Sequence, residues 1–280
     1  MTTNLYLLIP QSNLHVGAGS SNYGVIDNLV QRDAIDQYPN INASSLKGAI
    51  REFFEEAKGW SVTIDKKKIP NDKSKKVFGD IDQGKGNCVF SEGHLLGLPV
   101  RSNKKPYFIA TSPYVLKKFL SLSDEFGYEL DTDLKKDLLA LASLSPETEK
   151  PILIAPSTIS GLKIEDFINF TNHNLRLSKL HTILGEDIVL FSDEDFAYQC
   201  GDYALPVLAR NHLDNGISQN LWYEQVVPKM TRFYFFVDDY TEEVLFDKAL
   251  EDNTQLVQIG GNATVGYGRC KIKNLNKVIA

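Results

Sequence analysis

Cysteine is scarce in this 280-residue chain: Cys88, Cys200 and Cys270 stand far apart with no C-x-x-C spacing. An odd, dispersed set builds neither a disulfide framework nor a thiolate zinc cluster. It reads as reduced thiols, and cytoplasm is the expected compartment. The five histidines form no HExxH pair, so the sequence predicts no zinc site. No apolar run approaches 18 residues, so no membrane partner is expected. Residues 1–10 alternate without a basic start, which argues against a signal peptide there. No period of 20–50 residues repeats, which excludes a solenoid. A large charge of one sign is also missing: 30 basic residues face 36 acidic ones, for a net charge of −6. Taken alone, that balance argues against a nucleic-acid partner. What is present is ordinary globular composition, 42% hydrophobic and 24% charged, sufficient for a large core without staples.

The distribution of charge changes that picture. Residues 123–149 carry eight acids against two lysines, and 238–252 carry seven against one; together they sum to −12, leaving +6 for the rest. The acidic stretches are expected to face solvent or a neighbouring subunit. Six lysines lie between Lys66 and Lys76, and Arg269, Lys271, Lys273 and Lys277 meet no acid in the C-terminal segment. These basic stretches are where a polyanion is expected to be met.

Periodicity predicts the elements. Residues 4–16 read as a first strand. Residues 43–58 read as a helix with Leu46, Ile50 and Phe54 on one face and Ser44 or Ser45 as cap. Residues 65–86 have no periodicity and read as a mobile loop. A short helix starts at Ser112-Pro113, and a second helical face runs through Leu134, Leu138, Leu139, Leu141 and Ala142. Residues 151–155 and 232–240 read as strands, 206–225 as a long hairpin and 241–252 as a capped helix. Strand–helix–strand units at both ends predict an α+β, ferredoxin-like core.

Three segments carry glycine where backbone must approach something closely: Leu14–Asp33 (LHVGAGSSNYGVIDNLVQRD), Ser44–Gly48 (SSLKG) and Ile259–Ile272 (IGGNATVGYGRCKI). Each is weak by itself, and SSLKG lacks the P-loop pattern. Together with LPVRS at 98–102, TSP at 111–113 and LWYEQVVP at 221–228, in this order, they resemble one family. The chain is similar to the RAMP proteins (repeat-associated mysterious proteins) of CRISPR systems, and more narrowly to the backbone subunit of the type III-B effector complex. At Glu92, followed by Gly93 and His94, the chain has glutamate where the family has aspartate.

The resemblance implies a single domain over residues 1–280, with a ferredoxin-like (RRM-like) palm from both termini and inserted fingers. The insertions would be a loop at 60–86 and an acidic helical segment at about 123–150, with a thumb β-hairpin at about 206–225. It implies CRISPR guide RNA, target RNA, other type III-B subunits and further copies of the chain as partners, the copies stacking head to tail into a helical filament. It implies cleavage of target RNA that depends on an aspartate in the loop after the first strand and a divalent metal. That residue is Asp27, the expected catalytic group and ligand of Mg2+ or another divalent cation.

His15 resembles a second position near the RNA and is a candidate acid–base or phosphate-orienting group. Ser45 and Lys47 in the first helical turn, with Arg32 and Arg51, are candidate phosphate contacts. In the thumb, Arg210 and His212 are candidate backbone contacts, Ile217 a candidate wedge between bases, and Tyr223 and Glu224 resemble positions near the cleavage point. Gly260, Gly261, Gly266, Gly268 and Arg269 form a candidate phosphate-tracking loop that also suits a tight hairpin closing the palm. Two alternatives stay open from the sequence: a non-catalytic guide-binding scaffold, and a metal-independent guide-processing nuclease with a histidine base.

Overall fold

The computed structural model describes all residues except 20–23, 83, 156–157, 252–254 and 280; the side chains of Leu213 and Glu251 also lie outside the description. The serine–asparagine–tyrosine part of the first glycine segment therefore lies outside the described residues.

The first strand, β1 (Thr2–Pro10), buries Leu5, Tyr6, Leu7 and Leu8 in succession, as a strand covered on both faces does. It ends at Pro10, earlier than the strand expected over 4–16, and His15 lies in the loop beyond it. Helix α1 (Ala43–Ala57) buries Leu46, Ile50 and Phe54 at helical spacing. Neither Ser44 nor Ser45 caps it. Asn42 holds the N-cap position without a side-chain bond, and its own N–H donates to Gln31 Oε1 at 2.8 Å.

Residues 65–86 are not the loop expected. Strands β2 (Ser61–Ile64) and β3 (Lys67–Pro70) pair through a turn with positive φ at Asp65 and Lys66. Helix α2 (Asp72–Phe78) follows, capped by Asn71 Oδ1 on the N–H groups of Lys73 and Ser74. Two-residue strands β4 (Gly79–Asp80) and β5 (Gly84–Lys85) then pair. Elements this short show no periodicity, but Trp60, Val77 and Phe78 are buried and anchor them. The lysines here are partly neutralised: Lys68 pairs with Glu52 at 2.6 Å, and Lys75 lies 3.4 Å from Asp80.

The chain re-enters the main sheet as β6 (Cys88–Phe90), β7 (His94–Arg101) and β8 (Tyr107–Thr111), then leaves through α3 (Pro113–Glu125) and α4 (Thr132–Ala142). Ser112 caps α3 with Pro113 in its first turn, as expected. The chain returns to the same sheet with β9 (Ile152–Ile154), β10 (Thr171–His173) and, after α5 (Leu180–Leu184), β11 (Ile188–Leu190). Helix α6 (Asp193–Cys200) leads to the hairpin β12 (Val207–Asp214) and β13 (Ile217–Gln225), which form a separate two-stranded sheet among the named strands. Its tip is Asn215-Gly216, both at positive φ (49° and 81°), the turn that suits the right-handed strand twist. Strand β14 (Arg232–Asp239), helix α7 (Leu245–Glu251), β15 (Val257–Gln258), a 3-10 turn at Ala263–Val265, β16 (Arg269–Asn274) and α8 (Leu275–Ile279) complete the chain.

The palm is the stretch β16-β1-β14-β7 of one ten-stranded sheet, with α1 and α7 as its two crossover helices. All three neighbouring pairs are antiparallel. This is the ferredoxin-like βαββαβ order, extended at the β7 edge through β8, β11, β9 and β10. The buried residues form one cluster from Leu5 to Ile279, so palm and extension share a core. Among the described residues no helix is long and apolar enough to cross a membrane.

The acidic stretches do not all face outward. Asp239 is 1% exposed and accepts from the N–H groups of Thr241 and Phe246 at the start of α7. Asp137, 5% exposed on α4, accepts from the backbone N–H groups of Ser178, Lys179 and Leu180 at 2.8, 2.7 and 3.0 Å. It thereby caps α5 from a neighbouring helix. Asp137→Ala leaves these donors without an acceptor, and urea unfolding should show a loss of about 2 kcal/mol.

Candidate functional site

The site lies where the base of the β12–β13 hairpin meets two palm loops. Leu14 and Val227 exchange backbone hydrogen bonds at 2.8 Å, which ties the loop after β1 to the chain beyond β13. Residues 16–18 pair with 29–31, Arg32 bridges to Pro39, and Ile41 to Gly93. The segment between β1 and α1 is therefore stitched to the palm along much of its length.

Asp27 sits on this segment and is exposed. Its backbone N–H donates to the Tyr223 carbonyl at 3.1 Å, and its Oδ2 accepts from the Tyr223 N–H at 2.7 Å. The next residue, Asn28, forms a parallel bridge to Glu224. The carboxylate is thus fixed in orientation by the hairpin base. Among the described residues nothing donates to its other oxygen, Oδ1. One free carboxylate oxygen in contact with solvent fits a hard cation that keeps most of its waters.

His15 and Glu224 stand differently from expectation. His15 is 7% exposed. Its Nδ1 lies 2.7 Å from the Gln225 carbonyl, so Nδ1 carries the hydrogen and Nε2 faces Glu224 Oε1 at 3.8 Å. Glu224 is 5% exposed. Its Oε2 accepts from Arg210 Nη1 at 3.2 Å and Asn262 Nδ2 at 2.8 Å. Both side chains therefore lie buried at the junction and brace it from inside. Arg210 is shared between Glu224 and the rings of Trp222 and Tyr267, each 5.8 Å away.

The late glycine loop wraps the same histidine. Gly261 N–H donates to the His15 carbonyl at 2.9 Å. A Cβ on Gly260 (φ +76°) would lie 2.3 Å from that carbonyl oxygen, and one on Gly268 (φ +70°) 1.9 Å from the Ile259 carbonyl oxygen. These two glycines serve close backbone approach and hairpin closure, while Gly266 (φ +86°) faces open space and Gly261 is exposed.

Two arginine expectations change. Arg32 Nη1 donates to the carbonyls of Gln37 and Cys200 at 2.7 Å, and its Nη2 contacts Asp202 at 2.8 Å, so it clamps the segment to the end of α6. Arg51 pairs with Glu55 one turn along α1 at 2.7 Å. Ser45 accepts from Gln31 Nε2 at 3.1 Å. Lys47 is half-buried with no ion pair among the described residues; His212, Ile217 (66% exposed), Tyr223 (39%) and Arg269 face solvent. Of the sequence candidates, Asp27, His212, Ile217, Tyr223, Gly260, Gly261 and Arg269 are exposed, and Lys47 is half-buried.

Sequence reasoning missed Gln225 and Asn262. Gln225 is fully buried; besides holding His15 it accepts from the Val30 N–H at 3.2 Å and donates to the Asp202 carbonyl at 3.0 Å. Asn262 occupies a left-handed position at φ +62°, a conformation asparagine tolerates, and its place between two glycine pairs was the available signal.

Comparison with known proteins agrees with this architecture. The chain is 26% identical to the Cmr endoribonuclease Cmr4 of Pyrococcus furiosus over 96% of this chain and 93% of that protein. It is 23% identical to the CMR subunit Cmr4 of Saccharolobus solfataricus over 95% and 94%. Its fold matches a chain of the type III-B Cmr-beta complex bound to cognate target RNA, with a TM-score of 0.81 at 23% identity, covering 100% of this chain and 99% of that one. It matches oligomeric Cmr4 from Pyrococcus furiosus with a TM-score of 0.71 at 22% identity, covering 98% and 99%. The RAMP superfamily pattern matches residues 10–271, a span that includes the thumb hairpin, the glycine loop and the palm from the end of β1 into β16, and the chain belongs to the RAMP superfamily.

Proposed function

We propose that this chain is the backbone subunit of a type III-B CRISPR effector complex, and that it cleaves guide-paired target RNA as an endoribonuclease with Asp27 at the reacting phosphate. The observation that carries this reading is Asp27 itself: its exposed carboxylate accepts from the Tyr223 N–H and its backbone N–H donates to the Tyr223 carbonyl, at the base of a protruding hairpin. A relative over nearly the whole chain is an endoribonuclease of the same system, and a like fold occurs in a complex holding target RNA and in an oligomer of Cmr4. The partners are guide RNA, target RNA, further copies of the chain and other subunits of the complex. Three buried, unpaired cysteines suit the cytoplasm.

Asp27 is the residue that would hold Mg2+ or another divalent cation, and the chemistry supplied there is charge stabilisation at the scissile phosphate. The chain's own residues set the geometry. Tyr223 orients the Asp27 carboxylate. His15, Glu224, Arg210 and Asn262 keep the hairpin base against the glycine loop, so they are positioning residues. Ile217 at the hairpin tip separates neighbouring base pairs and frees one nucleotide, whose 2′-hydroxyl can then reach in-line geometry.

The test is a target-cleavage assay of the reconstituted complex. Cuts at a regular spacing that stop on addition of chelator support the reading. Cleavage of precursor guide RNA by the isolated chain, indifferent to chelator, replaces it with guide processing. Ile217→Ser should lower cleavage about tenfold while stability stays within about 0.5 kcal/mol, because the side chain is two-thirds exposed.

A further inference from the structure

We propose that Asp33, Glu92 and His94 form a second metal site, for one first-row divalent transition-metal cation such as Mn2+ or Zn2+, with Asn40 Oδ1 as a fourth donor. The site joins the segment between β1 and α1 to the start of β7 and does not include Asp27. One ligand atom from each of Asp33, Glu92 and His94 lies within 4.8 Å of the others.

Charge supports it. Asp33, Asp36 and Glu92 bring three negative charges to one half-buried place. Lys118 supplies one positive charge, 2.8 Å from Asp33 Oδ2 and from Asp36 Oδ2. Among the described residues no lysine or arginine pairs with Glu92, so the cluster is two charges short of neutral, which a divalent cation supplies.

Unpartnered atoms point to the same spot. Asn40 is 5% exposed; its Nδ2 donates to Glu92 Oε2 at 3.2 Å, which leaves Oδ1 buried with no hydrogen-bond partner. His94 Nδ1 is also buried and unpartnered. So is the hydroxyl of Tyr234, the residue paired with His94 across the sheet, its ring 5.4 Å from the imidazole. Buried polar atoms without partners are rare, and several around one point call for a bound species. Asp33, Asp36, Asn40, His94 and Lys118 line a cavity of about 10 Å³, room for one water-sized sphere.

The donor set selects the class of ion. One imidazole nitrogen with three oxygens suits Mn2+ or Zn2+ better than Mg2+ or Ca2+, which prefer oxygen alone.

The test uses the full chain without RNA, stripped with chelator and titrated with MnCl2 or ZnCl2 alone by calorimetry and thermal unfolding. Apart from the equivalent that Asp27 takes, one further equivalent should bind and raise the Tm, with affinity at least tenfold weaker in His94→Gln and Glu92→Gln and unchanged in Asp27→Ala. Bound Mn2+ should show coupling to one nitrogen nucleus in pulsed electron paramagnetic resonance, absent in H94Q. If H94Q does not fold, E92Q and the nitrogen coupling in the wild type decide. Absence of saturable binding, binding unchanged in both variants, or binding lost in Asp27→Ala overturns the proposal.

Discussion

Asp27→Ala should reduce target cleavage by roughly 10²–10³-fold, equivalent to about 3–4 kcal/mol of transition-state stabilisation, with guide and target binding intact. The expectation follows from how the residue is held. The side chain is exposed, so no core packing is lost. The bond from Tyr223 N–H to Oδ2 is lost, but that donor sits at a solvent-exposed position where water can replace the carboxylate. The backbone bonds from Asp27 and Asn28 to the Tyr223 carbonyl do not depend on the side chain. Asp27→Asn separates the two functions of the carboxylate, because the amide oxygen still accepts from Tyr223 while the negative charge is gone. If charge is what matters, both variants fail alike; if orientation of the hairpin base is what matters, the asparagine variant cleaves nearly normally. Full cleavage by both variants would leave the chain a guide-binding scaffold.

The second large effect is expected from Gly260→Ala. A Cβ here would sit 2.3 Å from the His15 carbonyl oxygen and 2.9 Å from its carbon, and φ is +76°, where an alanine is strained in any surroundings. Backbone cannot give way as a flexible side chain does. The cost is roughly 3 kcal/mol or more, from strain and overpacking together. The damage should be local as well as global: Gly261 N–H loses its register on the His15 carbonyl, and the His15–Glu224 junction shifts with it. Denaturant unfolding should show the stability loss. At temperatures where the variant remains folded, cleavage should fall further than binding. Gly266→Ala is the internal control, since open space surrounds that Cβ and only the φ penalty of about 1 kcal/mol applies.

Much of the architecture was legible. The burial period of α1, the Ser112-Pro113 start of α3, the Asn215-Gly216 hairpin and the aromatic strand β14 are local patterns, and local patterns report local structure. The family motifs added the palm, the thumb and Asp27. What was misread has two causes. The elements within residues 65–86 are too short to show a period, so this stretch read as loop. Arg32 read as a phosphate contact, yet it clamps α6, while its neighbours Gln31 and Asp33 hold the start of α1 and pair with Lys118.

The sequence alone determined the strand–helix–strand units of a ferredoxin-like core and the long hairpin, because each depends on spacing within a few residues, and the family resemblance added Asp27 in its glycine-flanked loop. Tertiary structure alone decided which polar groups are free. His15, Arg32 and Glu224 carry chemistry suited to RNA, but their partners come from residues up to 210 positions away, and those contacts turn them inward. The same long-range assembly brings Asp33, Asn40, Glu92 and His94 together, and no spacing motif links them. Hydrogen-bond partners and charge compensation are properties of three-dimensional neighbours, so the residue types announce what a group can do and the fold decides whether it is left available to do it.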